Sequence, residues 1–532
     1  MLAKNRTRYR VRRREGATLS ARVWKPNRIG AAVLSRIVRS EVVFFLVAWP
    51  ILAVMYRARA FVDPGTFWHI RVGDLIRERG FMTTDPFTFP FEGKTWIPQQ
   101  WGGEVVMSAI HSALGFDGLL LGMTLMLAGL FAWVFHRLLV GGMGWPLAGI
   151  VSALGMVAAG FHFYARPHLI TIAFMAIVAG FLVDFDRGKI GRGRMLLLIP
   201  LHLVWTNIHG GMLGGVATLA LAGIGWAVLR SMSRSVLLAY FGIVALCAVT
   251  MFANPFGLEM QRTWFRIVGS GAMAQYVDEH TMLNPQRPGD RAVLAFAVVY
   301  LIVLFGAKRQ DFRITWLLPL VWFVLTIKSI RQGPLFVVVG TVLLADIWPH
   351  TFWHRYLCRK GDTLARDLAT PLRPFTWHAW LLPMIAVTTV IGLQSYCGIG
   401  LAQLDPSQVP VTLIEPLQNY AATVPVGTRI YNDANLGGFV IYHAPKLKIF
   451  MDDRFELCGD AWLMNYVETI RDHPERFEDW YREYHFEVAI VAASTPMLPL
   501  EQSMRDSGHW REMARDRTAA MYRRIDFVRT PQ

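Results

Sequence analysis

FVDPGTFWHI, residues 61–70, follows directly on residues 42–59, the first apolar run of the chain that is long enough to cross a bilayer. Asp63 is therefore placed close to a membrane surface, beside Trp68 and His69. Trp is typical of the headgroup region, because its ring stays dry while its N–H stays hydrated. A carboxylate next to an interfacial Trp and a His predicts chemistry at the boundary between water and lipid.

The composition of the whole chain is that of a membrane protein. Hydrophobic residues make up 54% of the sequence and charged residues 17%, whereas soluble domains carry about 25% charged residues. The mean hydropathy is +0.34. These values exclude an ordinary soluble enzyme.

Apolar runs of the length that a helix needs to cross about 30 Å of hydrocarbon recur along the chain. Eleven such runs lie at residues 42–59, 117–139, 145–164, 168–184, 195–207, 212–229, 235–252, 292–307, 312–327, 334–349 and 378–397. The sequence therefore predicts a mainly α fold, a polytopic membrane helical bundle with about 11 spans.

The charges of the connecting segments predict the topology, since basic loops stay on the cytoplasmic side. Four alternate connections are basic: Arg187, Lys189, Arg192 and Arg194; Arg230 and Arg234; Lys308, Arg309 and Arg313; Arg355, Arg359, Lys360, Arg366 and Arg373. An odd number of spans that starts inside ends outside. We therefore expect a cytoplasmic tail over 1–41, a transmembrane domain over 42–399 and an extracytoplasmic domain over 400–532.

The N-terminal tail is strongly basic. Residues 1–40 hold twelve Lys or Arg against the single acid Glu15. Nucleic-acid binding is one interpretation of such a tail. Directly before an apolar span, an anchor that contacts anionic lipid on the cytoplasmic side is favoured, and we expect no nucleic-acid partner.

The C-terminal segment predicts a small α/β domain. Short strand-like runs, RIYND at 429–433, KIFMDD at 448–453 and EVAIVAA at 487–493, alternate with helical patterns such as the one from Ala461 to about Asp472. A layered, mostly parallel sheet is expected. Asp433, Asp452 and Asp453 fall near strand ends, where open sheets bind ligands, although acids there also cap helices.

The connection at 61–116, the predicted first outer loop, is too polar to cross a membrane, yet it shows helical periodicity twice. In its first part Trp68, Val72, Leu75 and Ile76 share one face, and charged residues share another. This pattern predicts a helix that lies in the membrane interface. The second part, about Glu104 to Leu114, is expected to be interfacial or re-entrant.

Under this topology the polar motifs of five connections reach the same outer side. They are Asp63, His69, Asp85 and Glu104; Arg166 and His168; Trp205, Asn207 and His209; Asn254; and Lys328 with Arg331. Acids, imidazoles, amides and guanidiniums that converge in this way predict one site.

A set of this kind suits transfer of a sugar from a lipid phosphate. Such a reaction needs a carboxylate to take the proton of the acceptor hydroxyl and cationic or hydrogen-bonding groups to stabilise the phosphate that leaves. Asp63 is the candidate base, with Asp85, His69 and Glu104 in the same catalytic group. The candidate phosphate-binding residues are Arg166, His168, Asn207, His209, Lys328 and Arg331.

Structural roles remain open for each of these residues. Asp63 precedes Pro64 and could begin a turn or cap a helix, and Asp85 could form an Asx turn. Glu104 could begin a helix, and His209 could bond backbone carbonyls where two helices pack closely. Arg166 and Arg331 could be interface anchors.

Several of these motifs resemble a family of bacterial multi-spanning membrane proteins related to the GT-C glycosyltransferases. The matching runs are DPGTFWHIRVGDLI, TTDPFTF, WGGE, ARPH, WTNIHGG, NPFG and SIRQGPLF, and, nearer the C-terminus, NDANLGGFVIYHAP and FMDDRFELCG. The resemblance covers roughly residues 42–470. It implies a GT-C membrane fold in a bacterial inner membrane and a polyprenyl-phosphate sugar as donor.

The same resemblance implies an acidic catalytic base in the first outer loop. Asp63 matches that acid best and Asp85 is the reserve. Many GT-C enzymes carry paired acids here, whereas Pro64 follows Asp63 in this chain. We expect no metal site and no cofactor, with a divalent cation as the open alternative.

Two other functions compete with an enzyme that glycosylates an envelope glycan, lipid or protein. A transporter or flippase of a lipid-linked glycan would carry ionisable residues in mid-membrane, but the centres of the predicted spans are almost free of them. A non-catalytic envelope-assembly protein would use the loop motifs only for packing. Asp63→Asn would leave such a protein functional.

Overall fold

The computed structural model describes residues 39–359, 380–398 and 400–528. The basic tail predicted to contact anionic lipid lies almost wholly outside these residues. In the membrane part the helices are Ser40–Tyr56, Gly65–Arg79, Trp101–Val140, Trp145–Ala159, Leu169–Asp186, Arg192–Met195, Leu198–Ile208, Met212–Val228, Arg234–Val249, Leu258–Gly269, Gly271–Tyr276, Pro288–Phe305, Leu318–Lys328, Gly333–Ile347, Phe352–Arg359 and Leu381–Cys397.

Six helical segments among the described residues are long and apolar enough to cross a membrane. They are Trp101–Val140, Trp145–His162, Leu169–Asp186, Arg234–Phe252, Pro288–Phe305 and Ile330–His350. Four shorter apolar helices are Ser40–Tyr56, Met212–Val228, Ile314–Lys328 and Leu381–Cys397. The expected number of eleven spans is not confirmed. The run predicted at 195–207 forms the helix Leu198–Ile208, which at 1.5 Å per residue reaches only about 16 Å.

The helix Gly333–Ile347 lies at the centre of the bundle. All of its residues are buried, and it packs against the helices Leu169–Asp186, Leu318–Lys328 and Trp145–Ala159. A helix that is buried on every side belongs to the interior of such a bundle. This central helix begins directly after Arg331, so one end of the bundle core carries that guanidinium.

The two ends of the bundle differ in their polar residues. His168 precedes the helix Leu169–Asp186 and Arg187 follows it. At the Arg187 end, Arg187 donates hydrogen bonds to Asp346 and His350, and Arg137 pairs with Asp184 at 2.7 Å. The candidate site residues lie at the His168 end.

The C-terminal domain contains the helices Ile414–Thr423, Ala434–His443, Phe455–Cys458, Asp460–Arg471, Phe477–Tyr484 and Pro499–Asp506. Its strands are β1 (Arg429–Asn432), β2 (Lys448–Ile449), β3 (Val488–Ala492), β4 (Trp510–Arg515) and β5 (Ala519–Arg524), in the spatial order β2-β1-β3-β5-β4. The predicted strands β1, β2 and β3 are parallel, as expected. β4 and β5 form an antiparallel hairpin that the sequence did not predict, because β4 is mostly exposed and has no apolar run.

The connection 61–100 packs into the core of this C-terminal domain. Phe67, Trp68, Val72, Phe89 and Trp96 belong to the same buried cluster as the sheet. The backbone N–H of Phe89 donates to the carbonyl of Ile449, which extends the sheet at β2. The apolar face of the helix Gly65–Arg79, which the sequence assigned to the membrane interface, therefore meets protein.

The helix Trp101–Val140 is bent at Gly115, where the backbone has φ 61° and ψ −156°. Residues 101–114 thus form a separate arm before the span, in the place where the sequence predicts an interfacial or re-entrant helix. This arm packs on the helix Gly65–Arg79 so closely that a Cβ at Gly73 would come within 2.1 Å of the carbonyl oxygen of Glu104. This close packing fixes the position of Glu104, on the arm, relative to His69, in the helix Gly65–Arg79.

Candidate active site

Asp63 and Arg166 form the centre of the candidate site. Arg166 Nη1 donates to Asp63 Oδ2 at 2.8 Å, and the backbone N–H of Gly65 donates to Asp63 Oδ1, also at 2.8 Å. A Cβ at Gly65 would lie 2.8 Å from Asp63 Oδ1 and 3.0 Å from Arg166 Nε, so a larger residue here would push the pair apart. Burial raises the pKa of Asp63, and the Arg166 guanidinium opposes that rise.

Arg166 and Arg331 lie on either side of Glu279. Glu279 Oε1 is 3.3 Å from Arg166 Nη1, and Oε2 is 3.7 Å from Arg331 Nη1. Arg331 Nη1 also bonds His280 Nε2 at 2.8 Å. Despite burial, the neighbouring cations, Arg166 first, lower the pKa of Glu279 to about 2, so it is ionised at neutral pH.

Glu279 and His280 are site residues that sequence reasoning missed. They lie in the short helical turn Asp278–His280, in the long connection before the helix Pro288–Phe305. The acid-rich triplet carries no motif. Only its place on the predicted outer side could have identified it.

Two further histidines lie around this centre. His209 Nδ1 accepts from the backbone N–H of Gly211 at 3.0 Å and bonds the Thr171 hydroxyl at 2.9 Å. Burial, Arg331 and Arg166 lower the pKa of His209 to about 3, so the ring is neutral. Since Nδ1 accepts, its proton is on Nε2. His168 Nε2 donates to the carbonyl of His162 at 2.9 Å.

Asn207 and Lys328 differ from these residues. Asn207 Oδ1 accepts from Trp101 Nε1 at 2.9 Å, and Nδ2 donates to the carbonyls of Leu203 and Ala253. Both amide hydrogens are engaged in the fold, so Asn207 has no donor for a phosphate. Lys328 is exposed at the end of its helix.

His69 and Glu104 form a buried pair beside the centre. His69 Nδ1 lies 2.9 Å from Glu104 Oε1, and the exposures of the two side chains are 0% and 1%. Within the described part of the chain, His69 Nε2 and Glu104 Oε2 have no hydrogen-bond partner. Burial, with Arg166 second, lowers the pKa of His69 well below its usual value. This pair therefore joins the two outer-loop helices through a neutral imidazole.

Asp85 lies in a different cluster, built around Arg454 of the C-terminal domain. Arg454 Nη1 is 2.8 Å from Asp85 Oδ1, and Arg454 Nη2 is 2.6 Å from Asp452 Oδ2. The rings of Trp96, Phe87 and Trp68 enclose the guanidinium at 4.5, 5.0 and 5.8 Å. The Arg454 and Asp85 side chains are 1% and 0% exposed. This closed cluster leaves Asp85 no access to a substrate.

Asp453, between the two clusters, is a third residue that the sequence did not assign to the site. Its Oδ1 accepts from Trp68 Nε1 at 2.7 Å. Its charge acts on Arg166 and Asp63, so it belongs to the same electrostatic environment. Across the described ranges, no group of three or more His, Cys, Asp or Glu residues is arranged to hold a metal ion.

Several solved structures resemble the chain, and two of them illustrate the likeness. The crystal structure of ArnT from Cupriavidus metallidurans bound to undecaprenyl phosphate has 12% sequence identity and a TM-score of 0.48, over 92% of this chain and 99% of that one. An oligosaccharyltransferase from Archaeoglobus fulgidus, tethered to an acceptor peptide with the NVT sequon, has 10% identity and a TM-score of 0.51, over 85% and 69%.

No protein-family model matches the chain, and no curated protein matches it. The likeness to the oligosaccharyltransferase extends over 85% of this chain. It confirms the predicted fold class. The chain is a multi-pass membrane protein of GT-C fold with a small C-terminal α/β domain.

Proposed function

We propose that the protein is a glycosyltransferase that moves a sugar from a polyprenyl-phosphate donor to an envelope glycan, lipid or protein. The observation that carries this proposal is the pair Arg166 and Arg331 around the Glu279 carboxylate, next to Asp63. A carboxylate between two guanidiniums occupies a place suited to a phosphate. A carboxylate beside that place can receive a proton.

The phosphate of the donor takes the place of Glu279 between the two arginines. Within the described residues Arg166 Nε is buried without a partner, so this guanidinium has a donor to spare. The Nε2–H of His209 is a further donor that carries no charge. The side chains of Arg166 and Arg331 are 14% and 24% exposed, which leaves room for a ligand.

The reaction needs one proton acceptor and one stabilised leaving group. The acceptor oxygen forms a bond to the anomeric carbon, and the bond from that carbon to the phosphate oxygen breaks. The electron pair stays on the phosphate oxygen, where Arg166 and Arg331 stabilise it. The hydroxyl proton passes to Asp63, whose raised pKa suits a general base.

An apolar groove supports a lipid-linked donor. Its volume is about 630 Å³, and it runs along the helix Ser40–Tyr56 against the helix Trp145–Ala159. Val47, Ile51 and Met55 line it and are about half exposed. Tyr56, at the C-terminal end of this helix and seven residues before Asp63, also lines the groove, so an isoprenoid chain in it would extend toward the segment that carries Asp63.

We place the reaction on the outer face of a bacterial inner membrane. The basic connections predict that the Arg187 end of the bundle is cytoplasmic. The candidate site and the C-terminal domain at 400–532 then face outward. The chain's own charge pattern is the support for this orientation.

The test is donor consumption by the purified protein in lipid nanodiscs. Polyprenyl-phosphate hexoses and pentoses are offered together with lipid, glycan and protein fractions of a bacterial envelope, and release of free polyprenyl phosphate is followed. We expect release with at least one donor, and its loss in Asp63→Asn. Equal release by the wild type and Asp63→Asn would refute the proposed role of Asp63. No consumption of any donor would count against the transferase.

A further inference from the structure

Asp453 is the point at which the C-terminal domain reaches the candidate site. It follows β2, in the segment that leaves the carboxyl end of this parallel strand, where open sheets place ligand-binding residues. Its Oδ1 accepts from the indole N–H of Trp68 at 2.7 Å. Trp68 belongs to the same helix turn that follows Asp63 and Gly65.

The contact between the two parts of the chain is close and fixed. A Cβ at Gly438 would lie 2.1 Å from the carbonyl oxygen of Pro64, so the helix Ala434–His443 touches the backbone next to Asp63. Phe67 and Trp68 are buried in the core of the C-terminal domain. Asp453 is therefore held at the site by packing.

Asp453 differs from its neighbours in the sequence Asp452-Asp453-Arg454. Asp452 and Arg454 are buried and paired with each other, whereas Asp453 is partly exposed. No described residue forms an ion pair with Asp453 or a hydrogen bond to its Oδ2. One carboxylate oxygen beside Asp63 and Arg166 is thus accessible and unengaged.

The charged groups that face Asp453 come from three segments. They are Arg166 from the connection before the helix Leu169–Asp186, Asp63 from the outer loop, and Asp452 from its own strand end. Burial, together with the two acids, raises the pKa of Asp453 to about 7 against the effect of Arg166. Asp453 therefore changes its charge near neutral pH.

Resting on the proposed function, we propose that Asp453 forms the acceptor subsite: its free oxygen accepts a hydrogen bond from an acceptor hydroxyl that neighbours the reacting one, so that the reacting hydroxyl keeps its own proton for Asp63. The acceptor then enters between the membrane bundle and the C-terminal domain. The donor enters from the membrane side. The site is incomplete without the C-terminal domain, which supplies one of its two substrate subsites.

The test compares Asp453→Asn with the wild-type full-length protein. Asn keeps an oxygen for Trp68 Nε1 but has no negative charge for the acceptor hydroxyl. With a donor that the wild type consumes and a short alkyl glycoside as the acceptor probe, we expect the acceptor KM to rise about tenfold. Because the charge of Asp453 also acts on Arg166 and Asp63, donor hydrolysis without acceptor is measured in parallel, and the rise in acceptor KM should exceed any change in that hydrolysis.

The pH dependence gives a second measurement. Below pH about 7 Asp453 becomes protonated and loses its charge, so the wild-type acceptor KM should rise as the pH falls from 8 to 6. Asp453→Asn should show no such rise. A wild-type KM that is flat over this range, or a variant that keeps the rise, contradicts the assignment.

Two controls separate the possible failures. Asp460→Asn alters another contact of the C-terminal domain, with Ser270 and Gly271, and should leave the acceptor KM unchanged. If Asp453→Asn fails to fold, Trp68→Phe removes the bond that orients Asp453 and should raise the acceptor KM less.

A wild type that transfers, with an unchanged acceptor KM in Asp453→Asn, overturns the subsite alone. A wild type that neither consumes a donor nor binds polyprenyl phosphate overturns the proposed function and the subsite with it.

Discussion

Two segments of the outer loop have nearly the same sequence and opposite surroundings. Asp63-Pro-Gly-Thr-Phe67 and Asp85-Pro-Phe-Thr-Phe89 share the pattern Asp-Pro-x-Thr-Phe. In both, the aspartate accepts a hydrogen bond from the backbone two residues on, and in both it lies 2.8 Å from an arginine. Local sequence thus gives the two acids the same backbone contact, and each of them pairs with an arginine from a distant part of the chain.

The difference lies in what encloses each arginine. Arg454, the partner of Asp85, is 1% exposed, lies among three aromatic rings and has a second carboxylate in Asp452. Arg166, the partner of Asp63, is 14% exposed and shares Glu279 with Arg331. A buried ion pair that is fully enclosed holds structure together, whereas an ion pair with exposed donors to spare can bind a ligand.

The largest expected effect is that of Asp63→Asn. Loss of a general base reduces the rate by about a thousandfold, because the acceptor proton has no place to go. We expect donor turnover to fall by this factor while the size-exclusion profile and thermal unfolding stay close to wild type. Donor turnover within tenfold of wild type would show that Asp63, like Asp85, has a structural role and is not the base.

Asp85→Asn should show the opposite pattern. It leaves Arg454 with one buried carboxylate in place of two, and removal of a buried ion-pair partner costs about 3 kcal/mol of stability. Chemical denaturation in detergent measures this loss, and the folded fraction should keep its activity per molecule. A folded Asp85→Asn protein without donor turnover would show that the enclosed cluster contributes to the chemistry.

Arg331→Lys tests the phosphate contact with the charge retained. The loss of one charge-assisted hydrogen bond, about 2 kcal/mol, should weaken binding of polyprenyl phosphate by about thirtyfold. Arg262→Lys, an exposed change on the helix Leu258–Gly269, is the matched control and should have no effect. Unchanged binding in Arg331→Lys would indicate that Arg331 serves only to hold His280 and Glu279.

Glu279→Gln is the smallest expected effect and has the opposite sign. Glu279 competes with a phosphate for the two arginines, so neutralising this partly exposed acid should tighten binding of polyprenyl phosphate by about 1 kcal/mol, or about fivefold. Equilibrium binding at low salt measures the change. Weaker binding in Glu279→Gln would mean that Glu279 positions the arginines and does not compete for them.

The sequence predicted the elements that depend on local pattern. Apolar runs of span length predicted the helical bundle, and alternating short runs predicted β1, β2 and β3. The hairpin of β4 and β5 was missed because the edge strand β4, with Arg511, Glu512 and Arg515, shows little hydrophobic alternation. The expected crossing at 195–207 was not confirmed, because this apolar run forms a helix of 11 residues, which is too short to cross alone.

The residues of the candidate site likewise fall into those that the sequence predicted and those that it missed. Asp63, Arg166, His209 and Arg331 stand in polar motifs at the ends of apolar runs, and a topology count was enough to bring them to one side. Glu279 carries no such signal, and the position of Asp453 near a strand end gave no reason to join it to the membrane site. Their distance from Arg166 depends on how the connection before Pro288 and the end of β2 fold back over the bundle.

By itself, the sequence determined a polytopic helical protein with a small α/β domain and a polar face at one end of the bundle, because hydrophobic length and periodicity are local properties. Only the tertiary structure decided which of the two similar Asp-Pro segments keeps its aspartate–arginine pair accessible to solvent. Arg166 comes from a membrane connection and Arg454 from the C-terminal domain, and burial by distant aromatic rings separates a closed ion pair from an accessible one. Such long-range contacts follow from packing, which no short stretch of sequence encodes.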